Sequence, residues 1–227
     1  MKTIVMYGYG KTAKAIAKEI EKDYLIIKIR KNSFNKRKKL TKGNLIVLSA
    51  GNLKKLLGKE YQSTHEIRLK ETILNKELVE EFVKKMKGLK TTIIVLTNNS
   101  DLFTQYLRKK LNRLNVYSFG LELDKKRFSN LIGKDIEVVG HHGLAIPLIK
   151  NPNKQNYLKI TREADKMVLD SIKNNKLNYK FIAKVFANYL KNFNAKKKKE
   201  KLTNIEKELL EETNKKIKKD YKSVFKT

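Results

Sequence analysis

Short runs of β-branched and other apolar residues alternate with amphipathic stretches from the start of the chain to about residue 150. This alternation is typical of βα units, in which helices cover both faces of a parallel sheet. The pattern predicts strands at Thr3–Tyr7, Tyr24–Arg30, Leu45–Ser49, Thr91–Thr97, Val116–Phe119 and Ile136–Val139. It predicts helices between them at Lys11–Glu21, Leu69–Met86, Asp101–Leu114 and Asp124–Ile132. We therefore expect an α/β fold built on a parallel sheet.

The rest of the chain is predicted to be mostly helical. Pro147 and Pro152 lie in a turn-rich stretch that separates the two patterns. After it, Thr161 is predicted to cap one helix, and a second helix is predicted over Tyr179–Phe193.

The last predicted helix begins at Thr203-Asn-Ile-Glu206, which has the spacing of a capping box. The basic segment Lys196–Lys199 precedes it. We expect one domain over 1–120, built on the parallel sheet, and a second, mostly helical domain over 121–227.

Composition narrows the class of protein. The 227 residues include no cysteine, which excludes disulfides, a thiolate nucleophile and cysteine-based metal centres. No metal site is predicted. No uninterrupted apolar run reaches the length of a membrane span and the N-terminus lacks the features of a secretory signal, so a cytoplasmic protein is expected.

The net charge of +30 raises the alternative of nucleic-acid binding, because clustered cations release counterions from polyphosphates. Lysine and asparagine are abundant from end to end, however, and lysine alternates with glutamate on predicted helix faces. An AT-rich genome would produce the same bias. We favour compositional bias over a nucleic-acid-binding role.

A glycine motif follows the first predicted strand. Gly8, Gly10 and Ala13 have the G-x-G-x-x-G/A spacing between a strand and a helix. Gly8 would permit the tight turn, Gly10 would let a pyrophosphate approach the backbone, and Ala13 would allow close packing at the helix N-terminus. A purely structural glycine turn remains an alternative. The motif predicts a Rossmann-type sheet that binds a dinucleotide.

The second predicted strand ends in cations. An acidic residue is expected there in dinucleotide-binding folds, to bind the ribose hydroxyls, but this chain has Lys28 and Arg30. The two cations could bind the 2′-phosphate of NADP. A degenerate adenosine site and an ordinary exposed strand end explain them equally well.

Four further segments resemble motifs of the lactate/malate dehydrogenase family, in the family's order. Leu45–Gly51 is similar to a strand ending in V-x-T-A-G, and Thr97–Asp101 to T-N-P-x-D. Leu123–Phe128 resembles L-D-x-x-R-F, and Gly140–Leu148 resembles G-x-H-G-[DN] followed by V-P-L. The resemblance covers about residues 1 to 150 and implies an NAD(P)-dependent 2-hydroxyacid dehydrogenase.

The resemblance implies a role for each matching residue. His142 would donate a proton to the ketone oxygen of a 2-oxo acid, and Asp124 would orient its imidazole and raise its pKa. Arg127 would bind the substrate carboxylate. Glu66-Ile67-Arg68-Leu69 is similar to the family's mobile-loop motif, so Arg68 would polarise the carbonyl when the loop closes. Asn98 would hydrogen-bond the reacting groups.

Other matches concern the cofactor and the substrate side chain. Ala50 and Gly51 are expected to contact the cofactor together with the glycine motif. Lys54 occupies the position whose side chain, in the family, recognises the distal group of the substrate. A cation at this position favours a dicarboxylate substrate. Asn178 stands at the position of a substrate-contacting threonine.

The same residues have simpler explanations when each is taken singly. Asp124 and Arg127 are three residues apart and could form a surface helix pair. His142 could be a core or turn histidine. The occurrence of all the motifs in family order argues against coincidence.

Departures from the family indicate a shortened protein. Only a short basic connector separates Arg30 from Asn44, where the family has a helix and a further strand. Asn99 replaces a proline, and Leu144 replaces an acidic or amide residue. The antiparallel strands expected before the terminal helix are missing.

We expect reversible hydride transfer between NAD or NADP and a 2-oxo or 2-hydroxy acid, in a homodimer or homotetramer. Two alternatives remain from the sequence. The chain could be an inactive relative that acts as a binding module, or a basic protein that binds nucleic acid.

Overall fold

The computed structural model describes residues 1–30, 37–150, 153–193 and 202–225. Its strands are β1 Lys2–Tyr7, β2 Tyr24–Ile29, β3 Leu45–Leu48, β4 Thr92–Val95, β5 Val116–Ser118, β6 Val138–His141 and β7 Leu144–Pro147. Its helices are α1 Lys11–Ile20, α2 Arg37–Leu40, α3 Thr64–Met86, α4 Ser100–Leu111, α5 Gly120–Ile132, α6 Lys154–Lys173, α7 Tyr179–Lys191 and α8 Asn204–Phe225.

Five parallel strands form the main sheet, in the order β2-β1-β3-β4-β5. The chain passes from β2 across β1 to β3, so the strand order reverses between β1 and β3. A crevice forms at such a reversal, at the carboxyl ends of the strands, and ligands bind there in open α/β sheets. The sheet and the helical second half confirm the predicted α/β class with a Rossmann-type sheet.

The connector between β2 and β3 lies where the sequence departs from the family. It contains the four-residue helix α2 among its described residues, and β2 forms one edge of the sheet. Within the described part of the chain, β2 is therefore the edge of the sheet next to the departure noted between Arg30 and Asn44.

Side chains of alternate strand residues enter two hydrophobic cores. Val5 and Tyr7 of β1 belong to the core under α3, α4 and α8. Ile4 and Met6 belong to the core on the opposite face, under α1, α5 and α7. Both cores take residues from each side of position 120, so α7 and α8 complete the covering of the sheet. The division into domains 1–120 and 121–227 stays a prediction.

Helix α3 begins earlier than the sequence pattern indicates. The helix starts at Thr64 instead of Leu69 because the hydroxyl of Ser63 accepts a hydrogen bond from the amide of Glu66, 3.2 Å away. The carboxylate of Glu66 in turn accepts one from the amide of Gln62, at 2.9 Å. This reciprocal capping places Arg68 inside a helix, not in the loop that the motif comparison predicts.

Helix α6 is capped by a different residue from the one predicted. Thr161 is not the N-cap of α6: Asn153 is, accepting from the amide of Asn156 at 2.8 Å. Thr161 lies within the helix and donates to the carbonyl of Tyr157, at 2.7 Å.

The capping box of α8 is confirmed. Its reciprocal bonds join Thr203 and Glu206, at 2.7 and 3.3 Å. The phenolic hydroxyl of Tyr157 donates to the other carboxylate oxygen of Glu206, at 2.7 Å, and so joins α6 to α8. The basic segment Lys196–Lys199 and Pro152 lie outside the described residues.

An antiparallel hairpin of β6 and β7 precedes α6. The strand predicted at Ile136–Val139 lies instead at Val138–His141, and β7 was not predicted. The two-residue turn of His142 and Gly143 reverses the chain, with a φ of +81° at Gly143. Among the described helices, none is long and apolar enough to cross a membrane.

The packing of α7 on the sheet can be tested at Phe186, which is fully buried beside Phe119. We expect Phe186→Ala to lower the free energy of unfolding by about 3–5 kcal/mol, because it opens a cavity in the core. Urea denaturation measures this change. The matched control, Lys184→Ala on the exposed face of α7, is expected to change it by less than about 0.5 kcal/mol. Equal effects would contradict the packing.

Candidate active site

The residues singled out by sequence meet at the carboxyl ends of the parallel strands. Gly8 follows β1, Ala50 and Gly51 follow β3, Asn98 follows β4, and Gly120 follows β5. Ligands bind at this edge in open parallel sheets, so the topology places the predicted motifs where a ligand site is expected.

The glycine turn after β1 leaves space for an anion to approach the backbone. Gly8 has a φ of +93°, and a Cβ at this position would collide with the backbone of Ala50. Gly10 is the N-cap of α1 in an extended conformation, with open space where a Cβ would lie. Ala13 is buried against the sheet. The amides at the start of α1 can therefore meet a phosphate group, and the residues present fit a dinucleotide.

Lys28 and Arg30 lie beside this turn, at the carboxyl end of β2. The amide of Gly8 donates to the carbonyl of Ile29, at 3.0 Å. Both cations are exposed, and the ammonium of Lys28 is 5.3 Å from the ring centre of Tyr9. The edge next to the turn is therefore positively charged.

A buried carboxylate joins the predicted catalytic residues. One oxygen of Asp124 lies 2.8 Å from Nδ1 of His142 and accepts from the amide of Gly143, at 2.7 Å. The other oxygen accepts from Arg127, at 2.9 Å. Asp124 is 5% exposed and His142 is 3% exposed. Because the carboxylate engages Nδ1, the other ring nitrogen, Nε2, is left for proton transfer.

Close packing fixes the imidazole. The amide of His142 donates to Asp101 of α4, at 2.6 Å. A Cβ at Gly120 would collide with the ring of His142 and lie 2.5 Å from the hydroxyl of Ser100. Glycine at the start of α5 is therefore required for the imidazole to lie where it does.

Arg68 completes the cluster from α3. A Cβ at Gly143 would collide with its guanidinium group. The side chain is buried, and among the described residues its Nε and one terminal nitrogen have no hydrogen-bond partner. Burial lowers the pKa of Arg68, whereas the carboxylates of Asp124 and Asp165 favour its charge. An unpaired buried guanidinium is costly unless an anion binds it.

Charge and burial determine the protonation of His142. Burial and the positive charge of Arg68 hold its pKa below the ordinary value, although Asp124 acts in the opposite direction. Burial disfavours the charged form of Asp124, but its basic neighbours hold the pKa of this carboxyl well below the usual range. Near pH 7 these shifts favour a neutral imidazole at His142 beside the ionised carboxylate of Asp124.

A second polar cluster lies nearby and was missed by the sequence comparison. Glu71, one helical turn after Arg68, is buried with hydrogen bonds to Asn75 and Asn98. The side chain of Asn75 also donates to the carbonyl of Asn98, at 3.2 Å, and lies against Gly51. Burial raises the pKa of Glu71 to about 7. Only its three-residue spacing from Arg68 could have indicated that it faces the site.

Two predicted substrate residues lie apart from this cluster. Lys54 is exposed, in the short 3-10 helix Leu53–Lys55. Asn178 is exposed and caps α7, accepting a hydrogen bond from the amide of Phe181 at 2.9 Å. Their contacts with a substrate stay predictions.

Solved structures share this fold. No family model and no curated protein matches the chain. An L-lactate dehydrogenase from Clostridium thermocellum is 17% identical with a TM-score of 0.71, covering 99% of each chain. The malate dehydrogenase from Picrophilus torridus is 14% identical with a TM-score of 0.73, covering 99% of this chain and 98% of its own.

A third structure, lactate dehydrogenase from Eimeria maxima with NADH and oxamate, is 13% identical with a TM-score of 0.75. The match covers 98% of this chain and 94% of that one. The chain therefore has the fold of lactate and malate dehydrogenases, which confirms at the level of the fold the resemblance seen in the motifs.

The buried carboxyl of Glu71 predicts a pH-dependent stability. Its pKa rises from 4.5 to about 7 on folding, so the folded state binds more protons between these values. The contribution of this group to stability is then greatest below pH 4.5 and is lost as pH rises through 7, by roughly 3 kcal/mol. We expect Glu71→Gln to be more stable than the parent protein at pH 8 but not at pH 4, as measured by urea denaturation.

The control is Glu77→Gln, at an exposed position of the same helix. This variant keeps the buried carboxyl of Glu71, so its stability should follow the pH dependence of the parent protein. A Glu71→Gln variant that also follows it would show that the carboxyl of Glu71 does not titrate in this range.

Proposed function

We propose that the protein is an NAD(P)-dependent oxidoreductase that interconverts 2-oxo and 2-hydroxy acids. The observation that carries the proposal is the buried pair of His142 and Asp124 with Arg68 and Arg127 beside it. A proton donor and two guanidinium groups at the carboxyl edge of a nucleotide-binding sheet suit the reduction of a carbonyl next to a carboxylate.

The two arginines would bind and polarise the substrate. Asp124 accepts a hydrogen bond from one guanidinium nitrogen of Arg127 and so orients the side chain. The remaining nitrogens of Arg127 would bind the substrate carboxylate. Arg68, whose buried guanidinium lies beside Asp124, would polarise the carbonyl group and offset the charge of the carboxylate.

His142 would transfer the proton. During reduction its Nε2 gives a proton to the carbonyl oxygen while the carbonyl carbon accepts a hydride. One 2-oxo acid, one reduced nicotinamide and one proton therefore give one 2-hydroxy acid and one oxidised nicotinamide. In the reverse direction the neutral imidazole takes the hydroxyl proton, and Asp124 stabilises the resulting cation.

Residues around the glycine turn would hold the cofactor. Gly8 and Gly10 would admit the pyrophosphate at the start of α1, and Ala50 and Gly51 would face the nicotinamide ribose. Lys28 and Arg30 would lie near the adenosine ribose. The bound cofactor would supply the hydride. Asn98, fixed by its contacts with Asn75 and Glu71, would hydrogen-bond the reacting groups.

Binding of an anionic substrate would prepare His142 for reduction. In the free protein, burial and the arginines lower the pKa of His142. A carboxylate between the arginines would offset their charge and raise that pKa. The substrate therefore favours uptake of the proton that the reduction consumes.

We expect His142→Asn to lower kcat for oxo-acid reduction by between about a hundred and ten thousand-fold, because the variant lacks a proton donor. Cofactor affinity should stay nearly unchanged. Consumption of NADH and NADPH with a panel of 2-oxo acids measures the first, and titration of cofactor fluorescence the second. The control is His141→Asn, whose side chain contacts Asn214 of α8 and should leave turnover intact.

An active His142→Asn variant would remove the proposed role of the imidazole. A parent protein that binds neither NADH nor NADPH at millimolar concentration would exclude the enzyme altogether. Cofactor binding without turnover of any acid would favour the alternative of an inactive binding module.

The charged end of β2 predicts a preference for NADPH over NADH. Arg30→Asp should weaken NADPH binding about ten-fold, because a charge-assisted contact to the 2′-phosphate is replaced by repulsion. NADH binding should change much less. Lys22→Asp, an equal charge reversal in the turn before β2, is the matched control. Equal loss of both cofactors, or the same loss in the control, would contradict a phosphate contact.

A further inference from the structure

A cavity of about 250 Å³ adjoins the predicted catalytic cluster. Arg68, Asp124 and Arg127 lie in its lining, with Gly143 of the hairpin turn. Helix α6, helix α8 and strand β7 provide much of the remaining wall. The hydrogen bond between Tyr157 and Glu206 joins the two helices of this wall.

The charged end of this cavity suits one carboxylate. Arg68 and Arg127 are the cations of its described lining. The Nε and one terminal nitrogen of Arg68 are buried without a hydrogen-bond partner among the described residues. Because both guanidinium groups line this end of the cavity, a single carboxylate bound there would be stabilised by their charge.

The rest of the wall is mainly apolar. Its apolar side chains include Phe128, Ile146, Leu158, Ala164, Val168 and Leu209. Burial of apolar ligand surface against such walls is favourable, because it removes that surface from water. A methyl group, the side chain of pyruvate, would leave most of this surface without a partner.

A second carboxylate would be unfavourable in the same space. The acidic groups of the wall beyond Asp124 are Asp165 and Glu212, and Asp165 accepts a hydrogen bond from Thr64 at 2.5 Å. These groups would repel the distal carboxylate of a dicarboxylic acid. Lys54, which by motif comparison favours a dicarboxylate, is exposed and lies outside the lining of this cavity.

We infer that the substrate is a 2-oxo or 2-hydroxy monocarboxylic acid with a branched, linear or aromatic apolar side chain of at least three carbons. The carboxylate binds Arg127 and Arg68, and the side chain occupies the cavity between α6, α8 and β7. This inference rests on the proposed function and narrows its substrate from any 2-oxo or 2-hydroxy acid to this class. The reaction is the hydride and proton transfer given above.

Steady-state assays test the inference with NADH and NADPH and with pyruvate, 2-oxobutanoate, 4-methyl-2-oxopentanoate, phenylpyruvate and oxaloacetate. We expect kcat/KM to rise about four-fold for each added methylene. The branched acid should therefore exceed pyruvate on the order of 50-fold, and oxaloacetate should be a poor substrate. A preference for oxaloacetate or pyruvate would overturn the inference and leave the proposed function standing.

Calorimetry separates failure of the function from failure of the inference. If no acid is reduced, the proposed function fails, and 4-methyl-2-oxopentanoate and oxaloacetate are titrated into the protein with and without NADPH. Tighter binding of the branched acid would support the cavity as its site. Equal affinity, or binding of neither acid, would overturn the inference.

Variants of α6 locate the side-chain site. Ala164→Leu fills part of the cavity, so the ratio of kcat/KM for 4-methyl-2-oxopentanoate to that for pyruvate should fall about ten-fold or more. Met167→Phe adds bulk on the exposed face of the same helix, at a residue that is 48% exposed, and should not change this ratio. An unchanged ratio in Ala164→Leu would overturn the placement. If that variant does not fold, Leu209→Phe on α8 makes the same test from the opposite wall.

Discussion

The ionised carboxylate of Asp124 is the group on which the arrangement of the site depends. It is buried, and it receives hydrogen bonds from His142, from the amide of Gly143 and from Arg127. A buried charge without such partners would be strongly destabilising. The three contacts therefore hold α5 and the hairpin turn together, and they fix which nitrogen of the imidazole can transfer a proton.

The other parts of the site follow from this contact and from the sheet. The turn at Gly143 leaves the space that the guanidinium of Arg68 occupies, and Gly120 leaves the space for the imidazole of His142. The strand order places the glycine turn at Gly8 along the same edge. Helices α7 and α8 complete the two cores, so the mostly helical second half covers both faces of the sheet.

Much of this fold could be predicted from the sequence, since the alternation of apolar residues identifies each strand of the parallel sheet. The i, i+3 spacing also predicts that Asp124 and Arg127 approach each other. Helix starts were less predictable, because the hydroxyl of Ser63 extends α3 back beyond the apolar pattern. β7 was missed because the turn that precedes it contains only two residues, His142 and Gly143. The burial of Glu71 depends on Gly51 after β3 and Asn98 after β4, two segments distant in sequence, which no local pattern reveals.

The central claim is that a bound 2-oxo acid lies between two arginines beside a histidine that is neutral in the free protein. Calorimetric titration of oxamate in the presence of NADPH, in buffers of different ionisation enthalpy near pH 7, counts the protons taken up on binding. The account predicts an uptake approaching one proton in the parent protein and none in His142→Asn. Binding without proton uptake, or with equal uptake in both proteins, would contradict it.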